Sequence, residues 1–130
     1  MKYFAEQVSK LDKEIYPHKD ITEKIKSSKN YIGKHFSENI TIAELASKTY
    51  ISRFHFIRLF KKYCGQTPNQ YLQWVRVDKA KQLLLKNIPV EKVCSSVGFE
   101  SKTTFTMLFK KLTGKTPVTY RTKKAILKND

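Results

Sequence analysis

SRFHFIRLFKKYCGQTPNQY, residues Ser52 to Tyr71, returns 49 residues later as SKTTFTMLFKKLTGKTPVTY, residues Ser101 to Tyr120. Ser52, Phe56, Leu59, Phe60, Lys61, Lys62, Gly65, Thr67, Pro68 and Tyr71 recur in register as Ser101, Phe105, Leu108, Phe109, Lys110, Lys111, Gly114, Thr116, Pro117 and Tyr120. Half of the positions agree, too many for chance, so the reading of one copy serves both. On a helical wheel Phe56, Leu59, Phe60 and Tyr63 share one side, a core stripe, while Phe54, Ile57, Arg58 and Lys61 share the other. Ser52 suits an N-cap, where its hydroxyl accepts a first-turn N–H, and Gly65 suits the left-handed position that stops a helix. Thr67 before Pro68 then reads as the N-cap and first position of a new helix.

The sequence ahead of each copy also repeats. Thr41-Ile-Ala-Glu44 reads as a capping box opening a short helix, and Pro89-Val-Glu-Lys-Val93-Cys94 is its counterpart. A short helix, a tight turn and a second amphipathic helix make a helix-turn-helix, whose second helix enters the DNA major groove. Two such units are expected, at about 41–63 and 89–112. Between them Pro68 to about Lys86 reads as one helix, with Leu72, Trp74, Val75, Val77, Ala80, Leu83 and Leu84 spread around its circumference, as a helix packed from two sides requires. At 1.5 Å per residue it is about 28 Å long, close to the roughly 34 Å between successive major-groove faces.

Upstream, residues 1–20 form an extension. Phe4, Val8, Leu11 and Ile15 stand at helical spacing before Pro17, giving a helix that either packs on the domain or serves dimerisation or partner binding. Asp20-Ile-Thr-Glu23 reads as the next helix start, with Ile21, Ile25, Ile32 and Phe36 buried and Gly33 marking close packing. After Arg121 a short helical tail carries Lys123, Lys124 and Lys128, and the domain is expected to span 21–126.

Ile42-Ala-Glu-Leu-Ala46, Ser52 to Lys62, Gly65-Gln-Thr-Pro68 with Tyr71, Arg76-Val-Asp-Lys-Ala80, Leu83-Leu84, Val97-Gly-Phe-Glu-Ser101 and Thr116-Pro-Val-Thr-Tyr-Arg121 together resemble the DNA-binding domain of the AraC/XylS family of bacterial transcription regulators. The resemblance covers about Ile21 to Arg121. It implies an all-α, seven-helix domain in which a long central helix joins two helix-turn-helix units, binding DNA and usually activating transcription, with RNA polymerase as a partner. Two departures stand out. Tyr50 occupies the first turn where Gly98 occupies the second, so a non-glycine residue must turn left-handed at about 1 kcal/mol. Met107 stands where the family often has arginine, which predicts weaker base readout by the second unit.

Composition agrees with a polyanion partner. The chain of 130 residues carries 26 Lys and Arg against 11 Asp and Glu, a net charge of +15. That length suits one domain, leaving no room for an effector-binding domain, so DNA binding without a small molecule is expected. No apolar run approaches the roughly 20 residues of a membrane span, and no signal peptide opens the chain, so a cytoplasmic, nucleoid-associated bacterial protein is expected. Cys64 and Cys94 lack a zinc or redox spacing, and Cys94 reads as a buried thiol. Scattered acidic residues and the lack of a His/Cys cluster argue against a nuclease, any metal site or a cofactor.

The expected base-reading set is Arg53, Phe54, Ile57 and Arg58 in the first unit and Lys102, Thr103, Thr106 and Met107 in the second. Arg58 suits a bidentate contact to guanine, while Phe54 and Ile57 suit either thymine methyl groups or packing against the N-terminal helix. Lys61, Lys62, Lys110 and Lys111, with the helix starts at Thr41, Thr67 and Thr116, are the phosphate candidates. The expectation is a monomeric, sequence-specific reader of double-stranded DNA that spans two adjacent major grooves. The alternatives are a DNA-binding fragment of a longer effector-responsive regulator and an RNA- or protein-binding adaptor.

Overall fold

The computed structural model describes residues 18–122. Helices α1 (His18–His35), α2 (Ile42–Ser47), α3 (Arg53–Cys64), α4 (Pro68–Leu85), α5 (Val90–Ser96) and α6 (Lys102–Thr113) follow in order, and residues 117–122 are helical again as α7. No strand occurs among the described residues. The expected all-α architecture is therefore present, with α2–α3 and α5–α6 as the two helix-turn-helix units and α4 between them. The apolar run from Phe4 to Ile15 and the lysines of the tail lie outside the described residues.

The repeat is structural as well as chemical. Phe56 and Phe60 are fully buried with ring centroids 5.8 Å apart, and so are Phe105 and Phe109 at the same separation. Tyr71 closes the first group at 5.9 Å from Phe60, and Tyr120 closes the second at 5.4 Å from Phe109. Punctuation repeats too: the Ser52 hydroxyl accepts from the His55 N–H at 3.1 Å and Ser101 from Thr104 at 3.3 Å. Gly65 and Gly114 then stop their helices at φ 81° and 84°.

Two separate cores result. Ile25, Ile32, Leu45, Ala46, Phe56 and Phe60 pack with Leu72 and Val75, whereas Val90, Val93, Cys94, Val97, Phe105 and Phe109 pack with Val77, Ala80 and Leu84. Helix α4 thus serves the first core with its N-terminal half and the second with its C-terminal half. Val75 and Val77 lie about 200° apart on the wheel, so the buried face changes sides at Arg76. This change of side is why its apolar residues surround the helix. Phe36, between α1 and α2, packs against both cores.

Some expectations are corrected. Asp20 lies inside the first turn of α1, which is already helical at His18, and pairs with Lys24 at 3.4 Å instead of starting the helix. Gly33 has open space where a side chain would stand, so no close packing explains it. Trp74 is half-exposed and stacks on Tyr71 at 6.2 Å, outside either core. Thr41 does cap α2 through the Glu44 N–H, but the Glu44 carboxylate accepts from the Tyr31 hydroxyl, and the reciprocal capping box forms at Thr67 and Gln70. The backbone is left-handed at Tyr50, as expected, and also at Asn87.

Candidate nucleic-acid interface

The buried phenylalanines anchor one face of α3 and α6, and this fixes what the opposite faces present. On α3, Arg53, Phe54 and Arg58 are exposed, Phe54 by 77%, while Ile57 is half-buried. On α6, Lys102, Thr103 and Met107 are exposed, Met107 by 67%, and Thr106 is half-buried. The eight candidate base readers therefore fall on two matching helix faces. They differ in chemistry: the first offers two guanidinium groups beside an aromatic ring, the second hydroxyls and a thioether.

Lys102 is engaged within the free protein. Its Nζ meets the Glu91 carboxylate of α5 at 2.7 Å, and this hydrogen bond holds the Glu91 pKa below the usual carboxylate range. Both groups are exposed, so solvent screens the pair. Lys61, Lys62, Lys110 and Lys111 are exposed in the last turns of α3 and α6, where they also complement the helix dipoles. Thr67 and Thr116 cap α4 and α7 by accepting from the N–H of Gln70 and Thr119, each at 3.2 Å. Thr41 does the same for α2.

Sequence reasoning missed what lies between the units. A cleft of about 620 Å³ is lined by Ser37 and Asn39, by Gln73 and Arg76 of α4, and by Gly98, Glu100, Ser101 and Thr104 of the second unit. These residues come from segments far apart in the chain, so no local pattern marks them. Tyr50 was seen as a turn residue only, yet it is 83% exposed beside the start of α3, with Lys24 Nζ 5.7 Å from its ring centre. Among the described residues no group of His, Cys, Asp or Glu could hold a metal ion, and no helix is long and apolar enough to cross a membrane. Burial pushes the thiols of Cys64 and Cys94 up, against the opposing pull of Lys29 and Lys102 respectively.

Comparison with known proteins agrees with this geometry. A family profile described as a helix-turn-helix domain matches residues 45–123. The probable transcriptional regulator LumQ of Photobacterium leiognathi is 38% identical over 93 residues, 71% of this chain and 38% of that protein. The bifunctional transcriptional activator/DNA repair enzyme AdaA of Bacillus subtilis is 40% identical over 92 residues, 70% of this chain and 44% of that protein. The chain thus spans less than half the length of these relatives. Among solved structures, the DNA-binding domain of AdpA in complex with a target DNA superposes with a TM-score of 0.73 at 29% identity, covering 76% of this chain and 90% of that one. The C-terminal domain of the response regulator AraT from Geobacillus stearothermophilus gives the same score and identity, covering 77% and 84%. With two matched helix-turn-helix units on one central helix and this set of relatives, the chain belongs to the AraC/XylS family of transcription regulators, and the fold described above is that family's DNA-binding domain.

Proposed function

We propose that the domain reads one face of duplex DNA by placing α3 and α6 in successive major grooves, and that it does so as a single chain, without a small molecule, to activate transcription in contact with RNA polymerase. The observation that carries the two-groove reading is the pair of equivalent exposed helix faces, each anchored by two buried phenylalanines and separated by the 18-residue α4. Arg53, Phe54, Ile57 and Arg58 read bases in one groove, and Lys102, Thr103, Thr106 and Met107 in the next. Lys61, Lys62, Lys110 and Lys111, with the capped helix starts at Thr41, Thr67 and Thr116, hold phosphates and set register. The net charge of +15 supplies the sequence-independent share of the affinity.

Because both reading helices belong to one polypeptide, the site should lack two-fold symmetry and span roughly 20 base pairs. The test is selection of sites from random duplex DNA with no ligand added, followed by footprinting and stoichiometry. One chain on an asymmetric site of two helical turns is the expected result. A palindromic site occupied by two chains, or tighter binding to single-stranded RNA in competition, would overturn it.

A further inference from the structure

Two reading helices bind a fixed site well only if something holds them at the right angle and separation. The side-chain packing gives little of this, because the two cores are distinct and Phe36 is the hydrophobic side chain, among the described residues, that packs against both. The polar contacts at that point are concentrated on one residue. Arg76 stands where α4 changes from one core to the other, and its Nε donates to the Phe36 carbonyl at 2.7 Å while an Nη donates to the Glu38 carbonyl at 3.0 Å. Both carbonyls belong to the connection that leads into the first unit. On its other side the guanidinium lies 5.7 Å from the ring centre of Phe99, in the turn of the second unit.

The second unit is shaped to accept this contact. Gly98 is left-handed at φ 98°, and a Cβ there would come within 3.0 Å of the Ser37 carbonyl, 3.1 Å of the Phe36 carbonyl and 3.1 Å of Arg76 Nε. The turn of the second unit therefore presses directly on backbone of the first. From the left-handed residue to the N-cap the second unit takes one step more, three from Gly98 to Ser101 against two from Tyr50 to Ser52, and Glu100 in that stretch lines the cleft with Arg76. Burial draws the Arg76 pKa down and the Glu100 charge opposes that pull.

We propose that Arg76, seated between the Phe36–Glu38 backbone and the Gly98–Phe99 turn, is a positioning residue that fixes the relative placement of the two reading helices and so makes binding depend on the spacing of the two half-sites. It touches no DNA itself. The planar fork is what the task needs, because it donates to two carbonyls of one unit while its face covers an aromatic ring of the other. The proposal rests on the two-groove reading, and pre-organisation is the physical gain: tethered modules gain about 10² to 10⁴ in avidity only when geometry lets both engage at once.

The experiment measures affinities of the wild type, Arg76→Gln and Arg76→Lys for the selected site, for the same site with about 5 base pairs inserted between its halves, and for the first half-site alone. Insertion should weaken the wild type by about 10²-fold. Arg76→Gln should bind the native spacing about tenfold more weakly, lose only a few-fold on insertion, and bind the lone half-site like the wild type. Arg76→Lys, which keeps the charge without the fork, should fall between them and guards against a glutamine variant that does not fold. Spin labels at Ser47→Cys and Ser96→Cys, in a Cys64→Ser, Cys94→Ala background, give a readout independent of DNA: one narrow distance distribution that broadens in the Arg76 variants. A spacing profile and a distance distribution both as sharp in the variants as in the wild type would overturn the proposal. A wild type indifferent to insertion, with broadening still seen on substitution, would instead overturn the two-groove reading and leave the clamp standing.

Discussion

Tyr50 and Gly98 hold the same left-handed turn position under different constraints, so they should not tolerate the same exchange. Tyr50, at φ 61°, is exposed, and glycine there would relieve backbone strain of about 1 kcal/mol while losing the nearby Lys24 contact. Gly98 has neither freedom nor room, and Gly98→Ala should cost about 1 to 3 kcal/mol. Urea midpoints for the two variants check this, with Tyr50→Gly within about 1 kcal/mol of the wild type. The left-handed turns at Tyr50 and Gly98 were readable from the sequence because both sit in a helix-turn-helix turn. Asn87 ends α4 in the same way, its own N–H donating to the Leu84 carbonyl at 3.1 Å and the Ile88 N–H to the Leu83 carbonyl at 3.4 Å, a stop that asparagine suits. What no local pattern showed is Arg121, whose guanidinium donates to both the side-chain and main-chain oxygens of Asn87 from 34 residues away. For the reading faces, Arg58→Ala should cost about 1 to 3 kcal/mol of discrimination at one base pair while leaving binding to unrelated DNA nearly unchanged. Met107→Ala should alter the sequence preference far less, which parallel binding measurements on single-base variants of the site will show.

Helix starts and stops are where local sequence spoke most clearly. Ser52, Thr67, Ser101 and Thr116 all cap as their neighbours required, because a cap needs only residues three positions apart. The box at Thr67 and Gln70 satisfies two backbone N–H groups at the head of the central helix, and Thr67→Ala should lower stability by about 1 kcal/mol in urea denaturation. Truncating Phe60 or Phe109, both fully buried, should each cost about 3 to 5 kcal/mol. Less was legible where packing decides. Trp74 sits amid apolar neighbours in the sequence, yet the change of buried face at Arg76 leaves its ring toward solvent against Tyr71. The start of α1 escaped for a similar reason, since Asp20 and Lys24 pair across one helical turn as well as a cap and its box would.

At the scale of the molecule, a chain of net charge +15 that neutralises about 6 to 10 phosphates should lose roughly 10³ to 10⁵ in affinity between 50 and 200 mM salt. A nearly flat titration would contradict phosphate-dominated binding. At one salt concentration, scrambling the half-site under α3 should cost several kcal/mol, at about 1 to 3 per mismatched pair, and scrambling the half under α6 clearly less. Equal costs would contradict the unequal chemistry of Arg58 and Met107. The duplication that reveals these two halves was plain in the sequence, whereas their junction was not, because it is assembled from the Phe36–Asn39 connection, the middle of α4 and the second turn. That junction is thin: Phe36 alone, among the described residues, adds its hydrophobic side chain to both cores. Each half should then open to solvent on its own schedule, and amide hydrogen exchange should sort the helices into two sets of protection, α2 with α3 and α5 with α6, set further apart by Phe36→Ala. On the two-groove reading proposed above, a protein of this build should leave its site in two departures instead of one, the half that lets go first returning before the other has gone.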